Sequence, residues 1–188
     1  MRNSTPSMKA AAHDDKLFGE QLVAILPMLR RFARSLCRQQ AMAEDLAQEA
    51  VMRGWAARAS FVPGTNLRAW VCVILRNRFY TVLRRERRNA SWDPAVAERV
   101  LVCPAYQESG IMVADVARAM QRLPAAQREM LMLVGASALS YEEAAQAAGC
   151  ALGTVKSRLA RGRQALVNLI DGPETPAMIS RLPAAEYA

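Results

Sequence analysis

The sequence is poor in the residues on which most enzymatic and metal sites depend. It contains one histidine, His13, and four cysteines, at positions 37, 72, 103 and 150, which lie too far apart in the chain for the close pairs of zinc and redox sites. None of its nine glycines forms a G-x-G pair, so the chain has no glycine-rich loop to cradle a phosphate. We therefore expect a protein that is not an enzyme, with no cofactor and no catalytic or metal site.

Long apolar stretches are also missing. The longest, such as residues 22–29 and 70–75, fall far short of the ~20 residues that a membrane-spanning helix needs. The N-terminus carries no cleavable signal pattern. These absences predict a cytoplasmic protein that does not bind membranes.

Positive charge is present in excess and is concentrated in one part of the chain. The 25 lysines and arginines outnumber the 17 aspartates and glutamates, for a formal net charge of +8. Residues 16–90 hold 14 basic and 5 acidic side chains, whereas residues 91–114 hold 1 and 3. A strongly basic segment concentrates polyanions around it, and nucleic acid is favoured over an anionic membrane because no stretch is apolar enough to insert.

Helical periodicity organises the first half of the chain. Apolar residues recur at steps of three and four from Phe18 to Leu36, and Pro27 should kink or restart this first helix. A second helix is predicted over residues 41–58. A third runs from Leu67 to about Arg88, with Asn66 as its N-cap.

The second half shows a linker followed by further helices. Residues 91–114 lose the helical period, contain prolines and turn mildly acidic, which is typical of a linker. Helical patterning resumes at Asp115 and breaks at Leu123-Pro124. Ser140 and Glu143 form a capping box, Gly149 follows as a turn residue, and the last helix is predicted from about Gly153 to Ile170.

No strand-like alternation of useful length is present, so the predicted fold class is all-α, with two small helical domains joined by a flexible linker. The predicted organisation is a disordered tail over residues 1–15, a first domain over 16–90, the linker over 91–114, a second domain over 115–171 and a tail over 172–188.

A capped helix, a glycine turn and a basic helix follow one another from residue 140 to residue 164. This order is that of a helix-turn-helix, whose second helix enters the major groove of DNA. Val155, Leu159 and Gly162 share the buried side of that helix. The candidate DNA-binding residues on its other sides are Thr154, Lys156, Ser157, Arg158, Arg161 and Arg163. An ordinary helical hairpin with a solvated basic face is the alternative.

Two sets of residues resemble a known family. Ser140-Tyr141-Glu142-Glu143-Ala144-Ala145, the stretch 149–159 and Arg161-Gly162-Arg163 resemble region 4 of extracytoplasmic-function (ECF) sigma factors, as does Leu123-Pro124-Ala125-Ala126-Gln127-Arg128-Glu129. Ala43 to Glu49, Leu67 to Trp70 and Ile74 to Asn77 resemble region 2. The resemblance covers roughly residues 16–171. It implies that the first domain binds the polymerase clamp and the melted "minus ten" promoter element, and that the second domain reads the "minus thirty-five" duplex.

The resemblance also implies roles for residues of the first domain. The candidates for contact with the melted strand are Phe61, Asn66, Arg76, Arg78, Tyr80, Arg84 and Arg85, because flat rings among cations suit unstacked bases and their backbone. The candidates for contact with polymerase are Asp45, Gln48 and Glu49. The alternatives are a favourable interaction of Glu44 and Asp45 with a helix N-terminus, a core position for Phe79 and, less readily, Tyr80, and a simple surface turn at residues 61–66.

Free-energy and distance estimates indicate that such a protein needs a larger partner to open promoter DNA and to hold its two domains apart. Opening duplex DNA costs about 1.4 kcal/mol per base-pair step, and each stacked base returns about 1–3 kcal/mol. A free linker of residues 91–114 spans about 25–29 Å, which is less than the ~34 Å of one DNA turn. The resemblance implies that the larger partner is core RNA polymerase, bound through its beta-prime clamp helices and beta flap, and that promoter DNA is the other partner.

A finer resemblance is to the general-stress-response (EcfG-like) subgroup. Residues 63–70, 76–80 and 133–137 carry it, while Leu139 and Gly162 depart from the usual pattern. This subgroup implies control by a small helical anti-sigma factor of the NepR type. The rival interpretations are a sigma-like decoy that binds an anti-sigma factor and a one-component helix-turn-helix repressor, with an enzyme a distant third.

Overall fold

Helices form the regular structure throughout the described part of the chain. The computed structural model describes residues 8–37, 39–90 and 111–171. Within these ranges the α-helices are α1 (Met8–Leu36), α2 (Gln40–Ala56), α3 (Leu67–Ala90), α4 (Ile111–Arg122), α5 (Ala125–Leu131), α6 (Tyr141–Ala148) and α7 (Leu152–Asp171). A short 3-10 helix (Arg58–Ser60) follows α2, and a π-helix (Met132–Ala136) follows α5. No strand occurs in these ranges, which confirms the predicted all-α class.

The first helix is longer than predicted and is not interrupted. It begins at Met8, so residues 8–15 of the predicted tail are helical, and it continues through Pro27 without a restart. Residues 1–7 lie outside the described part. A proline inside a helix costs roughly 3 kcal/mol, whereas burying each large apolar side chain contributes about 1.5–3 kcal/mol. Leu22, Leu29 and Phe32 are all buried around Pro27, so packing outweighs the lost backbone hydrogen bond.

The predicted helix caps are present. The Asn66 side-chain oxygen accepts hydrogen bonds from the backbone N–H groups of Arg68 (3.0 Å) and Ala69 (3.4 Å) at the start of α3. At the start of α6, the Glu143 N–H donates to the Ser140 hydroxyl (3.1 Å) and the Ser140 N–H donates to the Glu143 carboxylate (2.8 Å). Gly149 ends α6 with a φ of 60°, a left-handed conformation that favours glycine. The capping box and the turn residue are therefore confirmed.

Pro124 separates α4 from α5, as predicted. Arg128 of α5 reaches back and donates to the carbonyl of Gln121 (3.0 Å), one of the last carbonyls of α4 that lack a partner within the helix. Helix α4 starts at Ile111, four residues before the predicted resumption at Asp115. Of the predicted linker over 91–114, residues 91–110 lie outside the described part, as does the predicted tail over 172–188.

The helices form two units that share one buried core. Helices α1, α2 and α3 make up the first unit, and α4 to α7 with the π-helix make up the second. Helix α3 packs against both, because Val71, Cys72 and Leu75 are fully buried in the same cluster as Leu133 and Leu139 of the second unit. In this structure the two predicted domains are therefore in contact.

Gly162 lies where α7 crosses α5 most closely. A Cβ atom at this position would meet the Leu131 side chain at 3.2 Å and the Gln127 Cβ at 3.3 Å. An alanine at this position would therefore require α7 or the neighbouring side chains to shift slightly, and glycine permits the closer crossing.

We predict that Gly162→Leu lowers the free energy of unfolding by about 1–3 kcal/mol, because the added side chain overpacks the crossing between α5 and α7. Gly153→Ala is the matched control, since a Cβ there meets nothing within 4 Å. Urea denaturation followed by circular dichroism measures both. Equal stability of the two variants would contradict the close crossing.

Candidate nucleic-acid interface

Helices α6 and α7 form a helix-turn-helix. The three residues from Gly149 to Ala151 connect them, and the Ala151 carbonyl accepts hydrogen bonds from Thr154 N–H (2.9 Å) and Val155 N–H (3.2 Å) at the start of α7. Val155 and Leu159 are buried against the rest of the second unit. The side of α7 that periodicity predicted to be buried, which includes Val155 and Leu159, is therefore buried, and the opposite side faces outward.

The predicted DNA-reading residues lie on or beside that outward side. Lys156, Ser157, Arg161 and Arg163 are exposed, whereas Thr154 and Arg158 are half-buried at its edges. The Arg161 guanidinium donates to the Ser157 carbonyl one turn earlier (3.2 Å), so its charge lies along the helix near the N-terminal turns. Helix N-termini and arginines both favour phosphate oxygens, and the first turns of a recognition helix meet base edges.

The basic half of α3 presents a second cationic surface. Arg84 and Arg85 are exposed, and the Arg76 guanidinium lies over the Tyr80 ring at 4.7 Å from its centre. The Phe79 ring packs against the Tyr80 ring at 5.2 Å and also touches the core, in agreement with the alternative weighed for Phe79. Tyr80 is half-buried, so part of this residue remains accessible.

A buried carboxylate from the second unit meets this surface. Glu129 of α5 has only 3% of its side chain exposed, and its carboxylate accepts a hydrogen bond from Arg76 Nε at 2.6 Å. The Tyr80 hydroxyl donates to the other carboxylate oxygen at 3.4 Å. Burial, followed by the negative charge of Glu129, raises the pKa of Tyr80. Two residues predicted to contact DNA are therefore engaged within the protein in this structure.

Glu49 is held between two arginines. Arg78 Nε donates to one carboxylate oxygen at 2.6 Å, and Arg53 donates to the other at 2.9 Å. Partial burial acts to raise the pKa of Glu49, but the hydrogen bonds and positive charges of Arg78 and Arg53 outweigh it, and the pKa is lowered. Glu49 thus stays ionised and links α2 to α3, which places Arg78 beside α2.

Asp45 and Gln48 are differently placed. Both are exposed on α2, and neither makes a hydrogen bond or ion pair with the other described residues. The alternative of a helix-dipole interaction fails for Glu44 and Asp45, because α2 begins at Gln40 and the effect is confined to the first turn. Glu44 instead forms ion pairs with Arg30 (2.8 Å) and Arg34 (2.7 Å) of α1.

Phe61 and Asn66 have structural partners at the start of α3. The Phe61 ring packs against Phe18 (5.5 Å between ring centres) and Trp70 (5.4 Å), while Asn66 caps the helix. The loop tip between them, which includes Val62, is exposed. The structure thus places these two residues at the proximal end of α3, apart from the arginines of its distal half.

Periodicity did not single out two exposed polar residues of α3. Asn77 and Thr81 lie one turn apart and line both grooves that flank the helix. One groove, of about 340 Å³, also includes Arg76, Tyr80 and Arg84. The other, of about 550 Å³, includes Arg53 and Arg78. The sequence signal that could have identified them is the spacing of these two polar residues, four positions apart among the arginines of α3.

The described residues hold no group of three or more histidine, cysteine, aspartate or glutamate side chains placed to bind a metal ion. No helix in the same ranges combines the length and the apolar character needed to cross a bilayer.

Comparison with known proteins matches the two halves of the chain separately. A family model described as Sigma-70 region 2 matches residues 22–89, and one described as Sigma-70, region 4 matches residues 114–166. The ECF RNA polymerase sigma factor EcfG of Rhodopseudomonas palustris is 41% identical over 157 residues, which cover 82% of this chain and 87% of that protein.

Solved structures agree with these matches. The sigma factor RpoE of Bartonella quintana, crystallised in complex with the anti-sigma factor NepR, is 39% identical, with a TM-score of 0.73 over 85% of this chain and 99% of that one. CnrH, solved with the cytosolic domain of CnrY, shares the fold at 24% identity, with a TM-score of 0.62 over 88% of this chain and 95% of that one. On the strength of both family models and a relative that it matches over most of its length, the chain belongs to the family of ECF RNA polymerase sigma factors.

Proposed function

We propose that this sigma factor directs core RNA polymerase to the promoters of a general stress response, with α3 on the melted promoter strand and α7 on the upstream duplex. The observation that carries the proposal is the outward side of α7, where basic and polar side chains stand opposite a buried apolar seam. An ordinary helical hairpin would not require cations concentrated at the N-terminal half of its second helix.

The division of labour between the two surfaces follows from their chemistry. Helix α7 offers Lys156, Ser157 and Arg161 to a groove, an arrangement suited to duplex DNA. Helix α3 offers Tyr80 with flanking arginines and two shallow grooves, an arrangement suited to unstacked bases and their phosphates. Phe61, packed on Phe18 and Trp70, gives a rigid base to the loop that would meet an extruded base.

The exposed side of α2 is the proposed contact with polymerase. Asp45 and Gln48 lie on it without partners among the described residues, and Met52, one turn further, has 71% of its surface exposed. An acidic and apolar surface beside a basic domain is unsuited to DNA and suited to a protein partner. Glu49 takes part through its ionised carboxylate only at the edge of this surface, since Arg53 and Arg78 already hold it.

Control by a NepR-type anti-sigma factor is the proposed mode of regulation. Support comes from the Bartonella quintana sigma factor, which was crystallised with NepR and resembles this chain across both helical units. The EcfG relative supports membership of the stress-response subgroup. Action with polymerase places the proposed site of function in the cytoplasm.

We predict that Lys156→Ala combined with Arg161→Ala weakens binding of the upstream promoter duplex by polymerase holoenzyme. Each lost base contact should cost about 1–3 kcal/mol, and each lost phosphate contact should reduce the salt dependence of binding by about one unit. Filter binding over a salt series measures both. Arg118→Ala with Arg122→Ala removes the same charge from α4, and an equal loss in that control would contradict the assignment to α7.

A second prediction concerns the exposed side of α2. Asp45→Ala with Gln48→Ala should lower the affinity for core polymerase at least tenfold while leaving the helical content unchanged, because alanine is a good helix former. Competition for core polymerase against a labelled sigma factor provides the measurement. Glu20→Ala with Gln21→Ala is the control, because it likewise removes one carboxylate and one side-chain amide, from α1. Unchanged competition by the α2 variant would remove this side of the helix from the polymerase contact.

A further inference from the structure

The N-terminal turns of α1 contact the segment that precedes the loop of residues 61–66. Asp15 accepts two hydrogen bonds from the Arg58 guanidinium, from Nε to one carboxylate oxygen (2.8 Å) and from Nη2 to the other (3.1 Å). A bidentate pair of this kind fixes the orientation of both side chains. Asp15 precedes residues 22–89, the part of the chain that matches Sigma-70 region 2. The contact therefore comes from turns of α1 that lie outside that match.

Arg58 is held by Trp55 as well as by Asp15. Its Nη1 donates to the Trp55 carbonyl at 3.2 Å, and its guanidinium carbon lies 4.6 Å from the centre of the Trp55 ring. The Arg58 carbonyl in turn accepts a hydrogen bond from the Phe61 N–H at 3.1 Å. Because Phe61 is the first residue of the loop, the position of Arg58 determines where the loop begins.

Phe18 adds an aromatic contact from the same turns of α1. It lies three residues after Asp15, and residues three apart are neighbours on a helix surface. The centre of its ring is 5.5 Å from that of Phe61 and 6.4 Å from that of Trp70. The start of the loop therefore rests on α1 through one ion pair and one ring contact.

The loop itself has one defined shape. The Thr65 hydroxyl and N–H both donate to the Val62 carbonyl, at 2.7 and 3.2 Å, and Gly64 has a φ of 87°, a left-handed conformation that favours glycine. Residues 62–65 are exposed, and Asn66 ends the loop as the cap of α3. A loop that already has its bound shape binds its ligand more tightly, because less conformational freedom is lost on binding.

The ion pair between Asp15 and Arg58 supplies orientation more than stability. The two side chains are 47% and 37% exposed, and ion pairs in contact with solvent contribute little to the free energy of unfolding. The hydrogen bonds from Arg58 lower the pKa of Asp15, so the carboxylate is ionised at neutral pH. Without it, the Arg58 guanidinium would be available to any strand phosphate near the loop.

We propose that Asp15 is a positioning residue for promoter melting, whose hydrogen bonds to Arg58 hold the loop of residues 61–66 in the shape that receives one base extruded from the melted strand. This inference rests on the proposed function of that loop. Asp15 itself does not touch DNA. Its role therefore concerns the dependence of binding on the base, and not the attraction of the chain for phosphates.

The test uses polymerase holoenzyme, with core polymerase in excess, and a fluorescent fork-junction DNA from a promoter that the wild-type holoenzyme transcribes. The single-stranded segment carries one abasic site, placed at each position in turn, and fluorescence anisotropy gives the affinity. The wild-type holoenzyme should lose affinity about tenfold at one position, the order expected for one stacked base. That position identifies the extruded base.

Asp15→Asn keeps the shape of the side chain and removes its charge. At the identified position it should reduce the loss caused by the abasic site by about threefold or more, because the loop no longer has its bound shape in advance. Its affinity for the abasic DNA should equal or exceed that of the wild type, since Arg58 gains a phosphate partner. Asp14→Asn is the matched control, because it removes the same charge from the neighbouring exposed position.

The possible failures are distinguishable. Equal base dependence in Asp15→Asn and Asp14→Asn overturns the positioning role, and so does an equal loss of affinity for intact and abasic DNA, which is the result of a purely structural role. If Asp15→Asn does not fold, Arg58→Lys carries the same test, because it keeps the charge but lacks the fork that pairs with both carboxylate oxygens. A wild-type holoenzyme that loses no affinity at any abasic position contradicts instead the proposed function of the loop.

Discussion

A carboxylate can lie in a protein interior only where positive charge or hydrogen-bond donors replace the water it has lost, and Glu129 meets this requirement with groups from the opposite helical unit. Breaking a buried ion pair by removing one partner costs about 3–5 kcal/mol, and Arg76 retains 20% of its side chain in contact with solvent, so the value here lies towards the lower end. The apolar contacts of Val71, Cys72 and Leu75 stabilise the interface between the two units, but they are not directional and do not fix its register. The ion pair adds direction, because it fixes which turn of α3 meets which turn of α5.

The ion pairs within the first unit differ from the ion pair that joins the two units. Glu44 joins α1 to α2 through Arg30 and Arg34, and Glu49 joins α2 to α3 through Arg78, so each of these carboxylates fixes the packing within the first unit. They are partly exposed, and solvent screening keeps the contribution of each to about 1 kcal/mol or less. Glu129 is almost fully buried and connects the two units, so its ion pair contributes more to the free energy of unfolding than those of Glu44 and Glu49. The basic surface of α3 is thereby divided between internal pairs and residues that remain exposed, such as Arg84 and Arg85.

Local patterns in the sequence predicted most of the helices and their caps. Asn66, the Ser140–Glu143 box and Gly149 act within a few residues of their own position, and the buried seam of α7 follows from helical period alone. Local patterns could not predict the features that depend on tertiary contacts. Pro27 is retained inside α1 because its neighbours are buried, and Glu129 meets Arg76 across 53 positions of sequence. The same holds for the packing of Phe61, a candidate contact of the melted strand, onto Phe18 and Trp70, which are distant in the sequence or on the next helix.

The close crossing at Gly162 has a mechanical consequence. Helix α5 carries Glu129 on one side. On another side, its Gln127 and Leu131 contact α7, the recognition helix, directly. Because position 162 has no side chain, α5 and α7 pack so closely that a shift of one helix towards the other requires the other to move. A displacement of α7 towards α5 would therefore shift the helix that carries the Glu129–Arg76 ion pair to the first unit.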